Sequence, residues 1–298
     1  MRPAPSPTLV DAVRAALRHT GQDVAEDALL DFLAHLPPAY LERESPADIA
    51  RHAALAASLG PSRRARVSVT PREAGAFDVA VVAFDYFAEL SIVCGLLAAH
   101  GLDIEAGHAH TLEPTTETRT KLRPARRIVD VFRVRPRSGR PPQAETLEQE
   151  LTFLLAKVAE GGALEARETI HLRLVEAIEK LGPSRAPGED ALAIRFDNAS
   201  DPAWTVLEVE GRDAPGFLYA LTNALAMRGL YIHDVHLEGT EGRVRDRFRI
   251  ARAEGGRIEN TEEQDSLETT VALIQQFTGL LPGTPDPARA LRYFDQFL

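Results

Sequence analysis

Residues 208 to 250, EVEGRDAPGFLYALTNALAMRGLYIHDVHLEGTEGRVRDRFRI, run from a strand-like segment through a charged turn, Asp213-Ala214-Pro215-Gly216, into an amphipathic stretch that stops at Gly229. The same pattern occurs 128 positions upstream. There VAFDYFAELSIVCGLLAAHGLDIEAGH (82 to 108) lies on EGRDAPGFLYALTNALAMRGLYIHDVH (210 to 236) with eight identities in 27 gapless positions. The shared residues include Asp85 with Asp213, Gly101 with Gly229, Ile104 with Ile232 and His108 with His236. After a gap, IVDVFRV (128 to 134) answers VRDRFRI (244 to 250), so the first copy carries 12 extra residues after His108, within TLEPTTETRTKLRPA. An internal repeat of this length organises the whole chain.

Each copy has the same predicted order of elements. FDVAVVAF and TVLEVEG are rich in strand formers. ELSIVCGLLAAHG and GFLYALTNALAMRG space their apolar residues as helices and end on Gly101 and Gly229, where a glycine closes a helix. Two strands and a second helix follow in each copy, which gives β-α-β-β-α, one strand short of the ferredoxin-like βαββαβ plan. The missing strand is expected upstream: RVSVT (66 to 70) and IRFDN (194 to 198) also sit 128 residues apart, each a short turn before the first strand of its copy. A strand so connected pairs antiparallel beside its neighbour, in the place of the fourth strand of that plan. The fold class is therefore α+β, with two ferredoxin-like modules behind an N-terminal helical segment. The expected divisions are 1–63 for the helices, 64–164 for module 1, 165–190 for a connecting helix and linker, 191–281 for module 2 and 282–298 for a helical tail. Within the first of these, Ser45-Pro46 with Asp48 predicts a capped helix start.

Composition narrows the function. Of 298 residues 44% are apolar and 26% charged, which suits sizeable globular cores. No apolar run reaches the ~18 residues a membrane span needs and the N-terminus has no hydrophobic signal core, so a cytoplasmic protein without membrane partners is expected. The formal charge of −10 argues against nucleic acid as the main partner, because phosphate attraction dominates such binding. Residues 119 to 140 run against that balance with nine Lys or Arg and one Asp, and are read as a solvated loop and strand edge. Cys94 is the single cysteine and is read as core filler.

Tandem ferredoxin-like modules with an Asp-x-Pro-Gly turn resemble ACT domains, small modules that bind amino acids and regulate metabolic enzymes. IRFDNASDPAWTVLEVEGRDAPGFLYALTNALAMRGLYIHDVHL resembles the last such domain of the bifunctional PII uridylyltransferase and uridylyl-removing enzymes. FLAHLPPAYLERESPADIARHAAL (32 to 55) resembles the segment leading to their first. The tail, TPDPARALRYFDQFL, is weakly similar to the start of glutamine synthetase adenylyltransferase, which leaves two readings open, a self-standing regulatory protein and a regulatory piece of something longer. Two departures matter. The nucleotidyltransferase chemistry of that family needs a Gly-Ser motif with carboxylates for Mg²⁺, which has no counterpart here. The one His-Asp pair, His233-Asp234, lies in a strand whose successive side chains point to opposite faces, so no metal is expected. Neither catalysis nor a cofactor is expected, and the enzyme reading is set aside in favour of sensing, with a ligand-free interaction scaffold as the alternative.

The resemblance gives the turn a purpose. A helix start offers unpaired N–H groups and partial positive charge to a carboxylate. An amino acid, glutamine by the resemblance, is expected at Asp213, Ala214, Pro215, Gly216, Phe217 and Leu218. Asp213 would take its ammonium group or cap the helix, and Ile232, His233 and Asp234 would line the side-chain pocket. In the first copy Phe87 and Ala88 replace Pro and Gly, so that turn is expected to be obstructed and module 1 to act as scaffold. Ile104 and Glu105 of module 1 would complete the pocket if the modules pair side by side, within the chain or in a homodimer. A nucleotidyltransferase or a PII-type protein is the expected macromolecular partner. His108 and His236, and the sole tryptophan Trp204, are read as packing residues.

Overall fold

The computed structural model describes residues 6–112, 126–180, 192–240 and 242–297. Eight antiparallel strands form one sheet in the order β1-β2-β4-β3-β7-β8-β6-β5. In chain order they are β1 (Ala65–Pro71), β2 (Phe77–Phe84), β3 (Leu102–Leu112), β4 (Arg127–Pro136), β5 (Ala193–Asp197), β6 (Thr205–Arg212), β7 (Leu230–Thr240) and β8 (Arg243–Arg252). The two halves of that order are mirror copies of the ferredoxin-like arrangement. In each, the extra upstream strand, β1 or β5, hydrogen-bonds antiparallel to the first strand of the repeat and takes the fourth strand's position. The borrowed strands are also the two end strands of the sheet, and the outer edge of β1 is met by Glu148, whose side chain accepts from the Val67 N–H at 3.0 Å. The modules join in the middle, where β3 pairs with β7 and His108 lies opposite His236.

One face of the sheet carries the helices of both modules: α5 (Glu89–Ala99) and α6 (Ala144–Ala159) from the first, α8 (Phe217–Met227) and α9 (Thr261–Leu280) from the second. Their buried residues make one continuous core. Gly101 and Gly229 close α5 and α8 in left-handed conformations, φ 67° and 70°, each donating its N–H to a carbonyl of the last turn. The predicted connecting helix, α7 (Ala163–Glu179), does more than connect. Ala166, Ile170 and Leu174 are buried in the shared core, and Ile170 packs so close to Gly95 of α5 that a methyl group there would meet its Cγ2 at 2.5 Å. The linker expected over 183–190 lies outside the described residues.

The opposite face differs between the modules, and the strands show why. On module 1 it is covered by four helices, α1 (Pro7–Thr20), α2 (Glu26–His35), α3 (Pro38–Arg43) and α4 (Pro46–Ala57), whose core includes Val82 and Val129. Ser45 caps α4 by accepting from the Asp48 N–H at 3.2 Å. β2, apolar on both sides as FDVAVVAF, is therefore buried on both sides. On module 2 none of the described helices covers that face, and β8 alternates: Arg243, Arg245, Arg247 and Arg249 are exposed while Val244, Asp246, Phe248 and Ile250 point inward. Buried Tyr40 anchors the helical layer, its hydroxyl 2.5 Å from His52 Nδ1 and its ring edge-on to His108 and His110.

The basic segment needs one correction. Residues 119 to 125 lie outside the described residues, but β4, which holds Arg127, Arg133 and Arg135, is not a sheet edge. It sits between β2 and β3. Its arginines are matched by acids, Arg127 by Asp31, Arg133 by Asp78 and Arg135 by Glu105, so the charge run reads as ion pairs on an interior strand. Among the described residues no helix is long and apolar enough to cross a membrane.

Candidate functional site

A strand that follows a right-handed crossover helix runs parallel to the strand before it. The turn at the end of β6 therefore lies at the same end of the sheet as the end of β7, and the start of β7 lies at the far end, roughly 25 Å away at ~3.3 Å per residue. Because β3 and β7 are antiparallel, the strand start that reaches the module 2 turn is that of β3. The geometry accordingly brings together Asp213 to Leu218 with Ile104 and Glu105, around a cavity of about 50 Å³.

Three of the expected residues are elsewhere. Ile232 lines a second cavity at the module 1 turn. The His233 ring stacks on Trp204, centroids 4.3 Å apart and planes 3° from parallel. Asp234 Oδ2 accepts from Arg249 Nη1 at 2.9 Å. A β-bulge between Ile232 and Asp234 shifts their register against β8. The reason is the strand direction given above: these residues occupy the wrong end of β7 for the turn they were expected to serve.

At the module 2 turn Gly216 takes φ 79°, and no side chain caps α8, so Asp213 does not serve as a cap. The Asp213 main-chain N–H donates to the Gly242 carbonyl at 2.9 Å, which fixes the turn against the β7–β8 hairpin. Leu174 of α7 backs the turn: a methyl group on Gly216 would meet its Cδ2 at 3.4 Å. The cavity is acidic. Burial raises the Asp213 carboxyl above its usual range, with the charge of Asp103 adding and Arg137 opposing. Asp246 is pushed up to about 8 by burial, with the charge of Asp213 adding. Arg137 is engaged by Asp103, its Nε 2.8 Å from Oδ2. Arg137 and Asp246 were missed from sequence. A signal for Asp246 existed: Asp130 and Asp246 match in the repeat, at strand positions where apolar neighbours require an inward side chain.

The expected obstruction in module 1 is not what the turn shows. Phe87 is 46% exposed, and Ala88 adopts φ 68°, the same left-handed conformation as Gly216. A second cavity of about 30 Å³ lies there. His108 and His236, although opposite in register, each turn to a carboxylate, His108 Nε2 to Glu44 at 2.9 Å and His236 Nε2 to Glu238 at 2.7 Å. Cys94 is buried and its thiol is pushed up by burial.

No family model matches the chain. It is 27% identical over 273 residues to the bifunctional uridylyltransferase/uridylyl-removing enzyme of Phenylobacterium zucineum, covering 86% of this chain and 26% of that protein. To the enzyme of the same description from Caulobacter vibrioides it is 27% identical over 294 residues, 95% of this chain and 28% of the relative. To that of Bradyrhizobium sp. (strain ORS 278) it is 28% identical over 272 residues, 88% and 26%. The chain thus spans about a quarter of the length of the curated relatives it matches, and along most of its own length it resembles the C-terminal region of bifunctional uridylyltransferase/uridylyl-removing enzymes.

Proposed function

We propose that this chain is a non-catalytic regulatory module that binds a small amino acid in the cavity at Asp213–Leu218, and that the ligand controls a nucleotidyltransferase of nitrogen metabolism. The observation that carries this reading is the composite cavity: the module 2 turn supplies an uncapped helix start, and the first residues of β3 in the other module close it. Its chemistry suits a zwitterion. First-turn N–H groups of α8 favour a carboxylate, and an ammonium group would take the place of the proton that burial holds on Asp213 and Asp246. A volume of about 50 Å³ holds on the order of four water-sized groups, enough for the ammonium, α-carbon and carboxylate, with the side chain directed to the mouth. Glutamine is the first candidate, on the family resemblance. Because ligand would touch both modules, its binding free energy acts on the β3–β7 junction.

A thermal-shift panel of the twenty amino acids tests this, since a ligand at 100 times its Kd stabilises by about 2.7 kcal/mol. Asp213→Asn should weaken calorimetric binding at least tenfold, the size expected when a charged hydrogen bond becomes a neutral one. A flat panel sinks the sensor reading and favours the scaffold. Nucleotide transfer to PII or glutamine synthetase by the purified chain, with Mg²⁺ and nucleoside triphosphate, would overturn the non-catalytic part.

A further inference from the structure

The second cavity is the repeat partner of the first. Shifting by 128 positions carries Ala98, Leu102 and Ile104 of the first onto Ala226, Leu230 and Ile232 of the second, and Asp213 onto Asp85. What changes is chemistry. Phe217 becomes Glu89, Tyr219 becomes Ser91, Cys94 becomes Thr222, Asp103 becomes Tyr231 and Gly239 becomes Thr111. Four positions without a carboxylate or aliphatic hydroxyl have become a carboxylate and three hydroxyls, and one carboxylate, Asp103, has become the phenol of Tyr231.

The replacement at Glu89 is the most costly. In module 2 that position is a phenylalanine buried in the core, and in module 1 it is a carboxyl at 5% exposure whose Oε1 has no hydrogen-bond partner among the described residues. A buried carboxyl without a partner is expensive, and a phenylalanine already fits the other copy of the fold. The hydroxyls around it are oriented as acceptors. Ser91 donates to the Ala88 carbonyl at 2.8 Å and Thr222 to the Leu218 carbonyl at 2.8 Å, so each of these lining residues has only lone pairs left to offer a ligand. At the opposite wall the Tyr231 hydroxyl lies 2.9 Å from both Asp85 Oδ2 and Thr111 Oγ1, and Arg126 pairs with Asp85 at 3.0 Å. Among the described residues no three His, Cys, Asp or Glu side chains are placed to hold a metal ion.

We propose that this module 1 cavity is a separate site for a small primary ammonium cation, with Glu89 Oε1 as its counter-ion and the Ser91 and Thr222 hydroxyl oxygens as further acceptors. An ammonium group has three donors and no acceptor, which complements the Glu89 carboxyl and the two hydroxyl oxygens within an otherwise largely apolar lining. About 30 Å³ accommodates roughly two water-sized groups, the size of a methylammonium ion. The site does not depend on amino-acid binding at the other turn. The charged groups near Glu89 are Asp130 on β4 and Asp85 in the turn, the latter paired with Arg126, and burial with the charges of the two acids raises the Glu89 carboxyl well above its usual range. Asp130 is raised likewise by burial, and the Cys94 thiol beside them is also held neutral. A cation therefore competes with protons, and its affinity should rise with pH.

The test is calorimetric titration of the full 298-residue chain with methylammonium chloride, with potassium chloride as the matched control. Saturable binding of methylammonium and not of potassium is expected, at least tenfold weaker in Glu89→Gln and lost in Glu89→Phe, which installs the residue of the other copy. Glu89→Phe should also raise the melting temperature, which shows that loss of binding is not loss of fold. The affinity of the unmodified chain should increase between pH 6 and pH 8. Absence of saturable binding, an equal response to potassium, or unchanged affinity in the two Glu89 variants would each overturn the proposal.

Discussion

Replacing Asp246 by Asn should change how the stability of this protein depends on pH, by an amount the burial of that side chain sets. Asp246 is 4% exposed on the inward face of β8, and its carboxyl is pushed up to about 8 by burial and by the charge of Asp213. In the unfolded chain the same carboxyl loses its proton near 3.9. Between those values the folded state holds a proton that the unfolded state has released, so stability is full below about pH 4 and falls as pH rises to about 8. Each pH unit in that window is worth about 1.4 kcal/mol, which sums to about 6 kcal/mol as an upper limit. Asp246→Asn keeps the shape and stays neutral, so the difference in unfolding free energy between variant and parent isolates this one group from the other buried acids. Urea denaturation of both at pH 5, 6, 7 and 8 is the assay. Asn should gain on the parent by about 1 kcal/mol or more per pH unit, levelling off above pH 8. A difference that stays flat from pH 5 to pH 8 would show that Asp246 ionises near its ordinary value and that the cavity floor is wet.

Two further outcomes follow from other parts of the core. Gly95→Ala in α5 sets helix propensity, worth about 1 kcal/mol in favour, against a clash with Ile170 Cγ2 at 2.5 Å and Tyr219 Cδ2 at 2.7 Å. Overpacking costs typically 1–3 kcal/mol, so urea midpoints should fall, and a rise would mean that α5, α7 and α8 do not pack as described. Burial holds His52 at about 4 and His110 at about 3, below the ordinary value near 6.5. The unfolded state therefore binds more protons between those limits, and stability should drop as pH falls from about 6.5 towards 4. His110→Phe should lose about 1–2 kcal/mol less than the parent between pH 7 and pH 5 in urea titrations, and an identical loss in both would refute the assignment.

The sequence by itself determined the modules. Strand alternation, helical spacing and the closing glycines are local signals, and the 128-residue repeat tied them into two copies of one plan, down to the borrowed strands β1 and β5. Coverage of the sheet faces came from the structure, and the strand patterns agree with it: FDVAVVAF is buried under the N-terminal helices, and RVRDRFRIAR alternates where none of the described helices covers that face of module 2. Only the tertiary structure decided which turn meets which strand. Ile104 and Glu105 reach Gly216 while Ile232 to Asp234 do not, because the antiparallel β3–β7 pairing sets one strand's start beside the other's end. That register depends on contacts more than 100 residues apart, which no local spacing encodes. The module 1 cavity was hidden for the same reason: Glu89 stands in the chain as an ordinary first-turn acid of a helix, and only the fold buries it, in a cavity that Thr222 and Tyr231 of the other module also line.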